Sequence, residues 1–309
     1  MLLKVAGLCK TFSDNKKAIK AVNNLNFSVD YGDITVFLGP NGAGKTTTIK
    51  LILNLINCDH GNIYFQDKII KNNFGPLLKN TGAMLEGSRN LFINLTPTDN
   101  FKYWGRLRGL SEKEAIKRGS NWLKEFGLEN KKDTQMTQLS RGMQQIIAIT
   151  IALLGNPKLL ILDEPTLGLD VAAVNKLTHI LKKIAKSGVG ILITTHQLDF
   201  AQEIGKKLLL INKGLLEYFG NINDVNKIMG NEQIYTFKVK AVLTQEQLNN
   251  LTKFGHLIKQ DDTKQYQIEL KPNTNFSEFL SALSKYPVEE IEENKISLIQ
   301  FIKKMGKEK

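Results

Sequence analysis

The sequence predicts an α/β protein with a largely parallel sheet, followed by a small α+β domain, and three features support this fold class. From residue 158 onward, near-continuous apolar segments alternate with a helical pattern, which is typical of a parallel sheet covered on both faces. The segment FLGPNGAGKTTT at 37–48 joins an apolar strand to a helix through a glycine-rich turn. The pattern changes at about residue 220, so we expect domains at 1–220 and 221–309.

The first domain contains the strands and helices that such a sheet requires. Predicted strands are Val22–Val29, Ile34–Leu38, Gly61–Phe65, Leu159–Asp163 and Gly190–Thr195, and predicted helices cover 46–56, 98–127, 141–154 and 171–186. Thr98 is a candidate cap for the helix at 98–127. In the same helical stretch, Ser111 and Glu114 have the spacing of a capping box.

The second domain is expected to alternate short strands and helices. Strands are predicted at 233–242, 256–260 and 265–271, with a weak strand or turn at 288–296, and helices at 244–254, 276–285 and 296–305. This order is close to the pattern of ferredoxin-like domains.

Composition limits the classes of function. The net charge is +12, and because residues 221–309 carry 13 Lys/Arg and 12 Asp/Glu, +11 of it lies in residues 1–220. A basic domain can bind nucleic acid, anionic lipid or a polyanionic small ligand, or simply have a Lys-rich solvated surface.

Cys9 and Cys58 do not make a disulfide framework, which favours a reducing compartment. No apolar run approaches the roughly 18 residues of a membrane span, and no secretory signal pattern opens the sequence, so we expect neither a membrane span nor secretion.

The turn at 39–46 has the spacing G-x-x-x-x-G-K-T of a phosphate-binding loop. Its glycines let successive backbone N–H groups face one concavity, and the following helix directs its positive N-terminus at the same charge. Lys45 would bridge the outer phosphates of a nucleotide, and the Thr46 hydroxyl would bind Mg²⁺. The predicted nucleotide-binding residues of this loop are Gly39, Pro40, Asn41, Gly42, Ala43, Gly44, Lys45, Thr46 and Thr47.

Another part of the site is expected where two apolar strands end, because open α/β sheets bind ligands at that edge. Asp163 ends the strand 159–163 and would hold Mg²⁺ through water. Glu164 should point to the other side of the strand, where it can orient and deprotonate an attacking water. His196 follows the strand 190–195 and is expected to hydrogen-bond the γ-phosphate.

A second polar turn precedes the apolar helix at 141–154. Ser140 is a candidate N-cap and Gly142 lies in the first turn, so free N–H groups at this helix N-terminus form a second anion site. Because the phosphate loop already surrounds one face of a triphosphate, this second site most simply faces a nucleotide on another subunit.

The stretches GPNGAGKTT, LSRGMQQ, LLILDEP, LGLD and the His of TTH together have the order and spacing of the ATP-binding-cassette (ABC) ATPases, and this resemblance covers about residues 1–220. It implies a P-loop NTPase cassette, with a mixed sheet built on a RecA-like core, an antiparallel β subdomain and a helical subdomain at about 87–155. It also implies ATP and Mg²⁺ as cofactors, and a second cassette, most simply in a homodimer, that pairs head to tail. Ser140 and Gly142 would then contact the γ-phosphate across the dimer. Asp170 would lie at the same interface, and Phe12 would stack on adenine.

The sequence departs from the family pattern in two places. Arg141 and Met143 replace a Gly and the Gln of the usual LSGGQ signature. Glu86 stands where the family's Q-loop has a Gln that touches Mg²⁺. Glu86 can still bind Mg²⁺, but it adds a negative charge beside Asp163 and Glu164.

The run LEGSRN at 85–90 resembles cassettes that serve ABC-2-type exporters of drugs and antibiotics. In that resemblance Arg89, Asn90 and the segment to Thr98 line the surface where a cytoplasmic helix of the permease docks. The leading interpretation is therefore the ATP-hydrolysing subunit of a drug, antibiotic or peptide exporter. Its permease would be a separate chain, and the subunit would lie on the inner face of the cell membrane.

Two other interpretations are weaker. A soluble cassette ATPase that acts on ribosomes or nucleic acid fits the basic first domain, but the chain has one cassette, no sustained heptads and a near-neutral second domain. A catalytically inactive regulatory cassette conflicts with the presence of Lys45, Asp163, Glu164 and His196. The exported substrate and the role of the second domain stay open.

Overall fold

The structure, a computed structural model, describes residues 1–14, 17–86, 91–225, 233–260, 264–271 and 274–294. The chain divides into two compact units, Met1–Ile222 and Asn223–Lys309. None of the helices in the described ranges has the length and apolar character that crossing a membrane requires.

The first unit contains two sheets. The antiparallel sheet consists of β1 Leu3–Asp14, β2 Lys17–Val29, β4 His60–Phe65 and β5 Lys68–Ile70, and the mixed sheet consists of β3 Ile34–Leu38, β6 Thr81–Met84, β7 Leu159–Asp163, β8 Gly190–Thr195, β9 Lys207–Asn212 and β10 Leu215–Asn221. Their orders are β2–β1–β4–β5 and β10–β9–β3–β8–β7–β6. Neighbouring strands from β9 to β6 are parallel, and β10 pairs antiparallel with β9. The predicted α/β class with a mixed sheet is confirmed.

The three central strands β3, β7 and β8 are buried at every position, which explains their near-continuous apolar sequences. Helices of this unit are α1 Lys45–Ile52, α2 Gly75–Lys79, α3 Pro97–Leu107, α4 Glu112–Glu125, α5 Arg141–Leu153, α6 Val171–Lys186 and α7 Leu198–Ile204. One hydrophobic cluster joins the two sheets through α1 and includes Phe27 and Phe37, whose ring centroids are 6.0 Å apart. The parallel strands therefore all deliver their carboxyl ends to one edge of the sheet.

Helix α1 is shorter than its sequence predicts. The pattern predicts a helix to residue 56, but α1 ends at Ile52. Asn54 has a φ of 54°, a left-handed conformation that a helix cannot continue through.

The helical stretch predicted at 98–127 consists of two helices, and the second begins at the predicted cap Ser111. The Thr98 cap is wrong: Thr96 caps α3, its side chain accepts from the backbone N–H of Asp99, and Pro97 occupies the first turn. The chain turns at 108–110, and Ser111 then caps α4 by accepting from the N–H of Glu114. A second hydrophobic cluster, which includes Phe101, Leu123 and Ile147, packs α3, α4 and α5 together.

The second unit forms its own antiparallel sheet. Its elements are β11 Ile234–Val239, α8 Gln245–Leu251, β12 Gly255–Gln260, β13 Gln265–Leu270, α9 Phe276–Leu283 and β14 Val288–Asn294. The sheet order is β12–β13–β11–β14, and one face is packed with aromatic residues, including Phe237 stacked on Tyr266 at 5.5 Å. The weak pattern at 288–296 is thus a strand, and the element order is that of a ferredoxin-like domain. The helix predicted at 296–305 lies outside the described residues.

Candidate functional site

A cleft of about 440 Å³ opens at the carboxyl edge of the mixed sheet. Its lining residues are Ala21, Asn41, Gly42, Ala43, Gly44, Lys45, Thr46, Thr47, Glu86, Glu164, Leu167 and His196. The structure therefore brings the predicted phosphate loop together with Glu164 and His196, although these residues lie more than 100 positions away in the sequence. Ala21 and Leu167 are lining residues that the sequence patterns did not indicate.

The phosphate loop requires glycine at its narrowest points. Gly44 has a φ of 109°, and a Cβ there would lie 2.2 Å from the carbonyl oxygen of Ala21. A Cβ on Gly39 would lie 2.5 Å from the carbonyl oxygen of Ile211. Helix α1 starts directly after Gly44 without a side-chain cap, so the N–H groups of its first turn are available to an anion in the cleft.

Lys45 is buried beneath the loop, with 6% of its surface exposed. Its ammonium donates to the carbonyl oxygens of Gly39 at 2.7 Å and Pro40 at 3.3 Å, and lies 3.6 Å from Glu164 Oε1. A compact cation that lines the cleft in this way complements the charge of a phosphate chain.

Asp163 is fully buried at the end of β7. Its Oδ2 accepts a hydrogen bond from the Thr46 hydroxyl at 3.0 Å, and its Oδ1 accepts one from the Thr194 hydroxyl of β8. Thr46 and Asp163 thus place two oxygen donors side by side at the start of α1. Such oxygen atoms are the ligands that Mg²⁺ prefers.

Glu164 has a left-handed backbone with a φ of 50°, so the strand alternation ends at Asp163. Its N–H donates to the Thr194 carbonyl at 3.1 Å and to the Thr194 hydroxyl at 3.0 Å, and its carbonyl accepts from Gln145 Nε2 at 3.2 Å. The strand alternation that predicts opposite directions for Asp163 and Glu164 therefore does not extend to Glu164. Both carboxylates reach the first turn of α1, Asp163 at Thr46 and Glu164 at Lys45.

The Glu164 carboxylate is held from two sides. Oε1 lies near Lys45, as described above, and Oε2 lies 3.1 Å from Nδ1 of His196. Glu164 is 7% exposed, whereas the His196 side chain is 42% exposed. A carboxylate oriented in this way can accept a proton from a water molecule in the cleft.

The polar turn at 140–143 lines a different cleft, of about 230 Å³. Its lining residues are Phe126, Leu128, Ser140, Gly142, Met143, Ile146, Gly168, Leu169, Asp170, Ala173 and Lys176. Ser140 caps α5, its Oγ accepting from the N–H of Met143 at 3.3 Å, and Asp170 caps α6, its Oδ1 accepting from the N–H of Ala173 at 2.8 Å. Among the residues that the structure describes, none lines both clefts, so the predicted site residues fall into two groups.

Phe12 belongs to neither group of lining residues. It lies on β1 opposite Ile19 of β2, is 44% exposed, and has the Lys10 ammonium 5.6 Å from its ring centroid. Its stacking on adenine stays a prediction. Glu86 does line the larger cleft and is exposed, whereas Arg89 and Asn90 lie outside the described residues.

Two residues that hold the larger cleft together were missed by sequence reasoning. Thr194 contacts both Asp163 and the backbone of Glu164, and Gln145 contacts the carbonyl of Glu164. Thr194 could have been found, because it is a polar residue near the carboxyl end of an apolar parallel strand. Gln145 carries no comparable signal, because it is a polar residue inside the largely apolar helix that starts at Arg141.

The sequence and the structure both resemble known proteins. The family model described as ABC transporter matches residues 22–167. The chain is 31% identical over 233 residues to the uncharacterized ABC transporter ATP-binding protein YhaQ of Bacillus subtilis, covering 75% of this chain and 76% of that protein. It is 30% identical over 256 residues to the linearmycin resistance ATP-binding protein LnrL of Bacillus subtilis, covering 83% and 80%. A dimeric structure of the ATP-binding cassette MJ0796 in a post-hydrolysis state, bound to ADP and Pi, has a TM-score of 0.66 at 26% identity and covers 72% of this chain and 99% of that one.

Proposed function

The chain belongs to the ATP-binding proteins of ABC transporters, which are ATPases, and from that premise we propose that it drives export of a drug, antibiotic or peptide through a permease on a separate chain. The similarity to a protein named for linearmycin resistance supports an antibiotic as the exported class. A head-to-tail homodimer of cassettes would couple ATP to that permease.

The observation that carries the dimer in this proposal is the separation of the two clefts. One chain carries the phosphate loop with its carboxylates in one cleft and the Ser140 turn in another, and no described residue lines both clefts. A second cassette placed head to tail would supply the Ser140 turn to each phosphate loop. Ser140, Gly142 and Asp170 are thus assigned to the half-site that faces the partner's ATP.

The residues of the larger cleft fit a bound Mg²⁺. Thr46 and Asp163 already place their oxygen atoms 3.0 Å apart, and the Glu86 carboxylate lines the same cleft. These residues would hold Mg²⁺, which when bound neutralises charge that develops on the phosphoryl oxygens.

Hydrolysis in this arrangement is an in-line attack of water on the γ-phosphorus, which breaks the bond to the β,γ-bridging oxygen and releases ADP and inorganic phosphate. Glu164 would orient the water and take its proton, while Lys45 and the N–H groups of the loop hold the phosphate oxygens. His196 would keep Glu164 Oε2 in position and contact the γ-phosphate. Dimer closure follows from tighter binding of ATP to the closed state, and loss of the γ-phosphate contacts of Ser140 and His196 favours opening.

An exposed apolar surface on α3 and the segment before it provides a docking site for the permease. Its residues are Phe92, Ile93, Leu95, Tyr103 and Leu107, which are 41%, 55%, 38%, 45% and 64% exposed. The rings of Phe92 and Tyr103 contact each other edge to face at 4.6 Å. We assign this surface to a cytoplasmic helix of the permease, because an amphipathic helix can bury its apolar face against an exposed apolar patch.

The proposal is tested by a pull-down of the tagged Glu164→Gln chain with ATP–Mg²⁺ from gently solubilised cells. A polytopic membrane protein in the eluate is the expected result, and it should be lost when Leu107→Asp is added on the apolar surface. Ribosomes or nucleic acid in the eluate, without a membrane protein, would overturn the exporter proposal. ATP binding by the Leu107→Asp chain shows that it is folded.

A further inference from the structure

One buried glutamine connects the helix of the smaller cleft to the larger cleft. Gln145 lies on the second turn of α5 and is 5% exposed. Its Nε2 donates to the backbone carbonyl of Glu164 at 3.2 Å, and the same carbonyl accepts from the N–H of Leu167 at 3.2 Å. A polar amide inside an apolar helix costs free energy unless it is hydrogen-bonded, so the Glu164 carbonyl compensates the burial of Gln145.

The segment that starts at Glu164 runs from one cleft to the other. Glu164 and Leu167 line the larger cleft, and residues 168–170 line the smaller one. The first turn of α5 packs directly on this segment, because a Cβ on Gly142 would lie 3.0 Å from the carbonyl oxygen of Gly168. Together with the hydrogen bond to the Glu164 carbonyl, this contact ties α5 to the segment at both of its ends.

Helix α5 can carry a displacement from the smaller cleft to the larger one. Ser140 caps α5 and lines the smaller cleft, so a phosphate bound there would contact the N-terminal N–H groups of the helix. A shift of the first turn reaches Gln145 through the rigid helix, and then the Glu164 carbonyl. Because the Glu164 carboxylate lies between Lys45 and His196, a shift of its backbone changes its alignment in the cleft.

We propose that Gln145 is a positioning residue that couples the smaller cleft to hydrolysis in the larger cleft of the same chain. This inference rests on the proposed head-to-tail dimer, in which Ser140 contacts the nucleotide of the second copy. The nucleotide held by the second copy then controls, through α5 and Gln145, how Glu164 of the first copy is aligned with its attacking water. Two-fold symmetry gives the same connection in both directions, so the two ATP sites of a dimer are coupled.

The test uses mixed dimers of a limiting active chain with an excess of the Glu164→Gln chain at saturating ATP–Mg²⁺. Phosphate release then depends on Glu164 of the active chain alone, and the excess removes differences in dimer affinity. The larger cleft of the active chain still faces an intact Ser140, that of the arrested copy. Ser140→Ala in the active chain therefore changes the contact with the arrested nucleotide, yet turnover should fall about fivefold, which is the lower end of ordinary coupling between two sites.

Gln145→Met in the active chain removes the donor and keeps an unbranched side chain of similar length. The kcat should fall about fivefold while KM for ATP stays unchanged, because Gln145 is not among the described residues that line either cleft. In this background Ser140→Ala should lower kcat no further. If the Gln145→Met chain does not bind ATP, Gln145→Asn replaces it, because its amide is one methylene too short to reach the carbonyl.

The matched control is Gln144→Met, on the neighbouring position of α5. Gln144 Nε2 donates to two other backbone carbonyls, those of Met136 and Leu139. The variant therefore loses a glutamine of the same helix but keeps the contact to Glu164. The full effect of Ser140→Ala on turnover should persist in the Gln144→Met chain.

The outcomes separate the coupling from the dimer. If Ser140→Ala lowers turnover equally in the parent and in the Gln145→Met chain, or does not lower it in the parent, the coupling through Gln145 is wrong and the dimer stands. Loss of the Ser140→Ala effect in the Gln144→Met chain would also overturn it, because the contact to Glu164 is intact there. If the active chain shows no ATP-dependent pairing with the Glu164→Gln chain, the head-to-tail dimer and the coupling both fail.

Discussion

The two clefts of the first unit differ in how their polar side chains are held. At the larger cleft, the carboxylates of Asp163 and Glu164 are buried and each contacts two groups of the same chain: Asp163 meets Thr46 and Thr194, and Glu164 meets Lys45 and His196. In the smaller cleft, Ser140 and Asp170 are exposed and each caps its own helix. The larger cleft is organised for chemistry before any partner arrives, whereas the smaller one presents helix N-termini outward.

This difference predicts that substitutions in the two clefts have different effects. Changes in the larger cleft should lower the rate of hydrolysis, because the groups that act on the phosphate and on water are there. Changes in the smaller cleft should weaken association, because its N–H groups face a second molecule.

The largest effect is expected from Glu164→Gln. The amide keeps the shape of the side chain but cannot take a proton from water, so ATP turnover should fall at least about 100-fold. ATP-dependent dimerisation should persist, and phosphate release at saturating ATP together with sedimentation measures both. Turnover like that of the wild type would refute the role of Glu164 as the base.

A smaller loss of rate is expected from Thr194→Val. The valine removes the hydroxyl that donates to Asp163 and accepts from the Glu164 N–H, so kcat should fall about 10- to 100-fold, as for other groups that orient a metal ligand. ATP affinity should change little. Thr195→Val is the matched control, because that buried hydroxyl accepts from the Gln197 N–H and contacts neither carboxylate. Equal rate losses in the two variants would contradict a positioning role for Thr194.

The smaller cleft is tested by Ser140→Ala against Ser111→Ala. Both serines cap a helix through the same bond to the third N–H, so both variants should lose about 1 kcal/mol of unfolding free energy. Only Ser140→Ala should also weaken the ATP-dependent dimer in the Glu164→Gln chain. If both variants dimerise equally well, the Ser140 turn does not face a second nucleotide.

The smallest effect concerns the helical region that carries the Ser140 turn. Hydrogen bonds from Thr96 and then from Lys102 hold the pKa of the Asp99 carboxyl below its ordinary value. Because the folded pKa is depressed, this stabilisation is present above the unfolded pKa of about 4 and is lost as the pH falls through the folded pKa. The side chain is 41% exposed, so solvent screening limits the contribution to less than about 1 kcal/mol. Urea unfolding from pH 7 to 2 should show a shallower acid-side loss for Asp99→Asn, and identical curves would contradict the assignment.

The sequence by itself determined the features that depend on neighbouring residues. The phosphate loop is set by spacing within 39–46, because a tight turn and a helix start need particular residues at particular positions. The buried strands β3, β7 and β8 follow from continuous apolar runs, and α6 begins and ends where its sequence predicts, at Val171 and Lys186. The α/β class and the family resemblance follow from the same short-range patterns.

Only the tertiary structure decided the features that depend on distant residues. Glu164 turns into the larger cleft because Thr194 of the neighbouring strand and Gln145 of α5 hold its left-handed backbone, 30 and 19 positions away in sequence. The close packing of α3 against α4 also became visible only in the fold, where a Cβ on Gly105 would lie 2.3 Å from the Cβ of Ala115. Phe12 is placed outside the cleft lining by the pairing of β1 with β2. Such contacts are set by which elements pack against each other, and no periodicity within one segment encodes them.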